Sequence, residues 1–192
     1  MITARDPNKY GVLSLRGKVI SALANPLEKV LENEEVRLIA SALGLSLKGY
    51  NPKDLRYGKV AIATDADADG SSITNLLIGL FYVLFPELLR EGRVYRFHSP
   101  LYKIEKGKKV SYYYTEEEAA KAPAGGSIER FKGLGSLSLE DAKEIFFNEE
   151  TSRGRLEQLT WDEEASRIIN ELLGKDVRYR KEYVENKIDF SE

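Results

Sequence analysis

The stretch KVAIATDADADG, Lys59 to Gly70, with SSITNLLIGLFYVLF running on to Phe85, decides how this chain folds. Asp65, Asp67 and Asp69 stand at alternate positions ahead of a glycine, as in the opening of a calcium-binding helix–loop–helix motif. That motif needs a bidentate glutamate at its twelfth position. Counted from Asp65 this position is Leu76, which has no oxygen to offer. The flanks disagree as well. Lys59–Thr64 is a short apolar run with β-branched Val60 and Ile62, the pattern of a buried strand. Ile73, Leu76, Leu77, Leu80, Phe81, Leu84, Phe85 and Leu88 then repeat at helical spacing. The carboxylates therefore stand where a strand gives way to a helix.

Glu91-Gly92 closes that helix, and Arg93-Val-Tyr-Arg-Phe97 reads as a second strand. Strand, helix, strand predicts a parallel βαβ unit, and in open parallel sheets sites form at the carboxyl ends of the strands. Three like charges within five residues repel one another unless a cation offsets them. Mg²⁺, which takes one or two carboxylates and fills its shell with water and phosphate, resolves that repulsion. The same residues also permit a plainer reading, a solvated acidic turn whose Asp69 favours a helix N-terminus.

The remaining composition narrows the classes open to the chain. Its 192 residues are 42% hydrophobic and 31% charged, ordinary for a globular protein, with a formal net charge of −2. Contact with nucleic acid must then rely on local basic patches. There is no cysteine, which excludes disulfides and thiolate metal sites, and a single histidine, His98, expected at a strand end rather than in catalysis. No uncharged apolar run reaches membrane-spanning length and no leader peptide stands at the start, so a cytoplasmic protein with no membrane partner is expected.

Along the rest of the chain, Val12–Ile20 reads as a short strand interrupted by Gly17, and Leu27–Leu45 as helix broken near Asn33 and stopped at Gly44. Leu101–Glu105 and Val110–Tyr114 flank Lys106-Gly-Lys-Lys109 as a hairpin with a basic tip. Glu116–Lys121 reads as helix, Ser127–Lys132 as strand and Leu139–Phe147 as helix, with two further helices over Asp162–Leu173 and Asp176–Lys187. Leu15-Arg-Gly-Lys18 and Arg130-Phe-Lys-Gly-Leu-Gly135 each place a basic side chain beside glycine, where backbone can approach a phosphate closely. Gly133 and Gly135 serve equally well in a simple strand-to-helix turn.

Taken in order, four segments resemble the Toprim region of type IIA DNA topoisomerase B subunits, as in gyrase and topoisomerase IV. They are LSLRGKV (Leu13–Val19), YNPKDLRYGKVAIATDADADG (Tyr50–Gly70), PELLREGRVYRFHSPLYKIEKGKK (Pro86–Lys109) and RFKGLGSLS (Arg130–Ser138). The resemblance implies an α/β fold, a Rossmannoid parallel sheet flanked by helices with a β-hairpin insertion and a helical C-terminal tail. Residues 1–148 would form the Toprim domain and 149–192 a charged tail for partner contact. It further implies an Mg²⁺ site made by Asp65 and Asp67, the catalytic carboxylates, with Asp69 beside them. Arg16, Lys18, Arg130, Lys132 and Gly133 become the expected contacts to double-stranded DNA. In the family a tyrosine on a separate breakage-reunion domain attacks the DNA, and ATP is hydrolysed by another domain.

Departures from the family pattern carry their own expectations. The first acidic motif, EGDSA, belongs a few residues ahead of Arg5-Asp-Pro-Asn-Lys-Tyr-Gly11, and neither it nor an ATP-binding domain occurs in the sequence. Ser72 stands where a histidine is usual. A split large subunit is expected, similar to phage enzymes whose large subunit is encoded in two parts. A separate ATPase polypeptide would carry the missing glutamate, and a breakage-reunion subunit the tyrosine, leaving this chain inactive alone. Three other readings stand beside it: a piece of a longer protein, a Toprim nuclease or primase, and a non-catalytic interaction module.

Overall fold

The structure, a computed structural model, describes residues 1–47, 49–152 and 155–187. The chain packs as two units, each assembled from separate segments: Met1–Ser14, Ala61–Thr74 and Tyr95–Glu157 form the first, and Leu15–Val60, Asn75–Val94 and Gln158–Glu192 the second. Leu156 packs against the aromatic core of the first unit.

The expected βαβ order is present. Strand β1 (Val60–Ala63) leads to helix α3 (Ala68–Leu84), a short helix α4 (Pro86–Arg90) and strand β2 (Val94–Phe97). The amide of Val60 donates to the carbonyl of Arg93 at 2.8 Å, so both strands begin at the same end and run parallel. The long helix stops at Leu84 because Pro86 has no N–H to continue it and restricts Phe85 before it. Leu77, Leu80, Phe81, Phe85 and Leu88 are buried as their spacing predicts. A strand missed in the sequence, β6 (Leu156–Gln158), lies beside β2. His98 bonds back to Arg155 and Leu159 to Val94, the crossed order of an antiparallel edge.

The hairpin forms as β3 (Tyr102–Lys106) and β4 (Lys109–Tyr113), turning at Gly107 with φ +63°. Strand β5 (Ser127–Arg130) adds to the free side of β3 in antiparallel register, Tyr102 opposite Arg130. Helix α6 (Leu139–Ala142) follows and passes into a π-helical turn, Lys143–Phe147. The core of this unit gathers Ala4, Phe97, Phe131, Ala142, Ile145 and Phe146, with the rings of Phe97 and Phe146 4.5 Å apart.

In the second unit, α1 (Leu27–Glu32) and α2 (Glu34–Leu43) break at Asn33, whose side chain accepts the amides of Glu35 and Val36. Gly44, at φ +77°, ends α2. Helix α8 (Glu163–Leu173) is capped by Asp162 and α9 (Arg178–Lys187) follows. Short helices α5 (Glu116–Ala120) and α7 (Glu149–Ser152) complete the elements of the first unit. The strand expected over Val12–Ile20 does not form. Gly17 adopts φ +141°, outside the range of a regular strand, and only Val19 of that stretch is buried.

Candidate functional site

The acidic loop begins where β1 ends, and its shape follows from its own residues. Helix α3 starts at Ala68, earlier than the apolar stripe suggests, because Asp67 acts as its cap. Its carboxylate Oδ1 accepts the amide of Gly70 at 2.7 Å, and its carbonyl accepts the amide of Ser71 at 3.0 Å. Gly70 is required by close approach: a Cβ there would stand 2.0 Å from the Asp65 carbonyl oxygen. Asp69 lies exposed in the first turn, where helix dipole and charge agree.

A second loop comes from the RFKGLG segment and meets the first. Phe131, buried, donates its amide to Leu101 at 2.9 Å and fixes the end of β5. Two residues on, the chain turns at Gly133, and the amide of Leu134 donates to Asp65 Oδ1 at 2.7 Å. A Cβ on Gly133 would stand 2.9 Å from the other oxygen of that carboxylate. Glycine is needed here so that backbone can lie against Asp65.

Between the two loops is a cleft of about 250 Å³, whose lining includes Asp65, Asp67, Ser99, Arg130, Lys132 and Gly133. Five residues singled out in the sequence thus come together. Arg130 lies over the Tyr102 ring at 5.6 Å and pairs with exposed Glu116 at 3.5 Å. Arg16 and Lys18 belong to the second unit, both exposed, with the Arg16 amide donating to Glu35 at 3.0 Å.

Asp65 and Asp67 are exposed oxygen donors on one cleft, which fits a hard cation that needs one or two carboxylates and completes its shell with water and phosphate. Among the described residues no group of three acidic, histidine or cysteine side chains is gathered as a ready ligand set. The donor set available here is a carboxylate pair.

Sequence reasoning missed the groups that support the two loops. Thr74 and Asp141 are the buried polar residues among those described. Asp141 accepts from Lys103 at 2.9 Å, from the Tyr112 hydroxyl at 2.8 Å and from the Ser138 hydroxyl at 2.6 Å. Burial alone pushes its carboxyl upward, but these bonds outweigh it and hold the group below its ordinary value. Lys103 is raised by its bonds to Glu105 and Asp141, and Tyr112 by burial and its bond to Asp141. A signal for this cluster was present in Ser138-Leu-Glu-Asp141, the spacing of a helix cap with an acid three residues on. For Thr74 the signal was a polar residue at a buried position of an apolar stripe.

Residues 1–99 match the family model described as Toprim domain, and residues 124–185 the one described as DNA gyrase B subunit, carboxyl terminus. The chain is 37% identical to the DNA gyrase B subunit of Thermus thermophilus over 98% of its own length and 31% of that protein. It is 35% identical to the DNA topoisomerase 4 B subunit of Staphylococcus aureus, over 97% of this chain and 29% of that one. The chain thus spans about three tenths of the length of these relatives. Among solved structures, the DNA-binding, cleavage and re-ligation domain of Plasmodium falciparum topoisomerase II superposes with a TM-score of 0.76 at 27% identity, covering 91% of this chain and 25% of that one. With half its length matching the Toprim model and nearly all of it similar to gyrase and topoisomerase IV B subunits, the chain belongs to the Toprim family, in the branch those subunits represent.

Proposed function

We propose that this chain is the metal-binding Toprim part of a type IIA DNA topoisomerase, supporting cleavage and religation of double-stranded DNA by a tyrosine on another subunit. The observation that carries the reading is the meeting of Asp65 and Asp67 with Arg130 and Lys132 on one cleft at the carboxyl end of a parallel strand. Mg²⁺ would be held by Asp65 and Asp67, with Asp69 beside them, and would supply charge stabilisation at the scissile phosphate and the departing 3′ oxygen.

The chain's own residues prepare that site. The amides of Leu134 and Gly70 each occupy one oxygen of Asp65 and Asp67, which limits the rotamers of both carboxylates before anything binds. Lys132 and Arg130 offset the charge of the DNA backbone, and Gly133 lets the loop come close to it. Arg16 and Lys18 form a second set of phosphate contacts. The tyrosine nucleophile, the ATPase and the glutamate of the first acidic motif come from outside these 192 residues. Among the described residues no helix is long and apolar enough to cross a membrane.

The test is Mg²⁺-dependent double-strand cleavage by this chain assembled with an ATPase polypeptide and a breakage-reunion polypeptide. Asp67→Asn is expected to lower the cleavage rate by about 10²-fold or more, the scale of losing one electrostatic stabiliser. Cleavage at the unsubstituted rate would overturn the proposal.

A further inference from the structure

Thr74 is 2% exposed, and its hydroxyl is used by nothing in the function described above. It sits on the buried side of α3, in line with Leu77 and Phe81, where an apolar residue would pack without cost. Its Oγ1 lies 3.0 Å from the Gly70 carbonyl and 3.0 Å from the Thr64 hydroxyl. A hydroxyl has one proton to give. Since the carbonyl can only accept, Thr74 donates to Gly70 and accepts from Thr64. The bond to Gly70 alone is a common habit of threonine in helices. The bond from Thr64 is different, because it arrives from the tip of β1, ten residues back in the chain.

Thr64 immediately precedes Asp65, and it is held from a second side by Ser99, whose hydroxyl donates to the Thr64 carbonyl at 2.7 Å. Gly70 in turn gives its amide to Asp67. The bonds therefore close a ring: Thr64 to Thr74, Thr74 to the Gly70 carbonyl, the Gly70 amide to Asp67, and Asp67 back through the chain to Asp65 and Thr64. The Asp67 carboxylate and the backbone of Asp65 lie on this ring, and the Asp65 carboxylate is held from outside it by the Leu134 amide.

We propose that Thr74 is a positioning residue for Asp65 and Asp67, its buried hydroxyl locking the tip of β1 to the first turn of α3 so that the loop between them has one conformation. Ser99 is its counterpart on the other side of Thr64. The consequence for metal affinity rests on the function proposed above; the positioning itself does not.

The experiment uses the whole ¹⁵N-labelled chain and needs no activity. Amide hydrogen exchange is measured without metal on the unsubstituted chain, Thr74→Val, Thr74→Ser and Ser99→Ala. In Thr74→Val the Gly70 amide is expected to exchange roughly fivefold to tenfold faster, the scale of one net hydrogen bond, while Leu80 and Phe81 in the same helix keep their rates. Thr74→Ser restores the slow rate, and Ser99→Ala gives a smaller acceleration at the same amide. Unchanged exchange at Gly70, or equal acceleration along all of α3, overturns the proposal, the second result marking Thr74 as ordinary packing. Titration with Mn²⁺ then reads the metal. Its relaxation effect on the Asp65–Gly70 amides should need severalfold more Mn²⁺ in Thr74→Val, with Thr74→Ser close to the unsubstituted chain. No Mn²⁺ effect in the unsubstituted chain removes the metal reading and leaves the positioning to stand or fall on the exchange rates.

Discussion

The two loops that meet at Asp65 are held in place by opposite means. The acidic loop is tied by neutral donors, three of them close in sequence, from Gly70 to Asp67, Thr74 to Gly70 and Thr64 to Thr74, with Ser99 and Leu134 reaching it from farther along the chain. The glycine loop is followed by α6, and α6 is anchored by a buried charge, Asp141, reaching Lys103 and Tyr112 on the hairpin 38 and 29 residues away. The difference has a physical reason. A fixed ion beneath Asp65 and Asp67 would alter their attraction for any cation, whereas hydroxyls fix geometry and leave the charge alone. The glycine loop meets Asp65 through a backbone amide and lines the cleft with cationic Arg130 and Lys132, not with carboxylates that hold a cation, so a charged anchor beneath it does less harm.

Breaking the charged anchor should have the largest effect on stability. Asp141→Ala leaves Lys103, 13% exposed at its side chain, with only the half-exposed Glu105 as an ionic partner and strips the Tyr112 and Ser138 hydroxyls of their acceptor, and is expected to cost about 3 kcal/mol in urea unfolding. A change under 1 kcal/mol, on the order of a surface pair, would mean the anchor is no anchor. Next is Gly70→Ala, which drives a methyl group into the Asp65 carbonyl and should cost about 1–3 kcal/mol. It should also abolish any Mn²⁺ effect on the acidic loop, since that loop must move to make room. Ser138→Ala removes the cap of α6 and one bond to Asp141, for about 1 kcal/mol by the same unfolding assay.

The charged anchor also predicts a pH dependence that loss of the Thr74 hydroxyl does not touch. Folded Asp141 holds its proton less readily than the unfolded chain, so its contribution is complete above the ordinary value of 3.8 and is lost as pH falls from there through the lower folded value. Unfolding measured across that range should show a fall in stability that Asp141→Asn reduces. Thr74→Val should leave the slope as it was. The smallest effect belongs to Lys9→Ala, which breaks an exposed pair with Glu149 and should not move the urea midpoint measurably.

The acidic arm was legible in the sequence because its geometry is made by neighbours. A short β-branched run, three alternate aspartates, a glycine and a helical stripe together place the carboxylates at a strand end, and the structure has them there. The glycine arm was half legible. Arg130-Phe-Lys-Gly-Leu-Gly135 stood out as a close-approach segment, but nothing in those letters says that Leu134 donates to Asp65, 69 residues away. Val12–Ile20 shows the opposite failure. Its apolar residues suggest a strand, yet a strand exists only beside a partner, and local pattern carries no knowledge of partners.

By itself the sequence determined the elements whose causes are local: the βαβ order, the break at Asn33, the hairpin, the strand-end position of Asp65, Asp67 and Asp69, and the family resemblance. Only the tertiary structure decided what joins across the chain: β5 beside β3, β6 at the edge of the first sheet, Lys103 and Tyr112 on Asp141, and the Leu134 amide on Asp65. Capping, helix breaking and turn formation depend on residues within one or two turns of each other, so the order of residues is enough to read them. Pairing of distant segments depends on which surfaces remain after each has folded and on which buried polar groups must find a partner. Those conditions exist only in three dimensions.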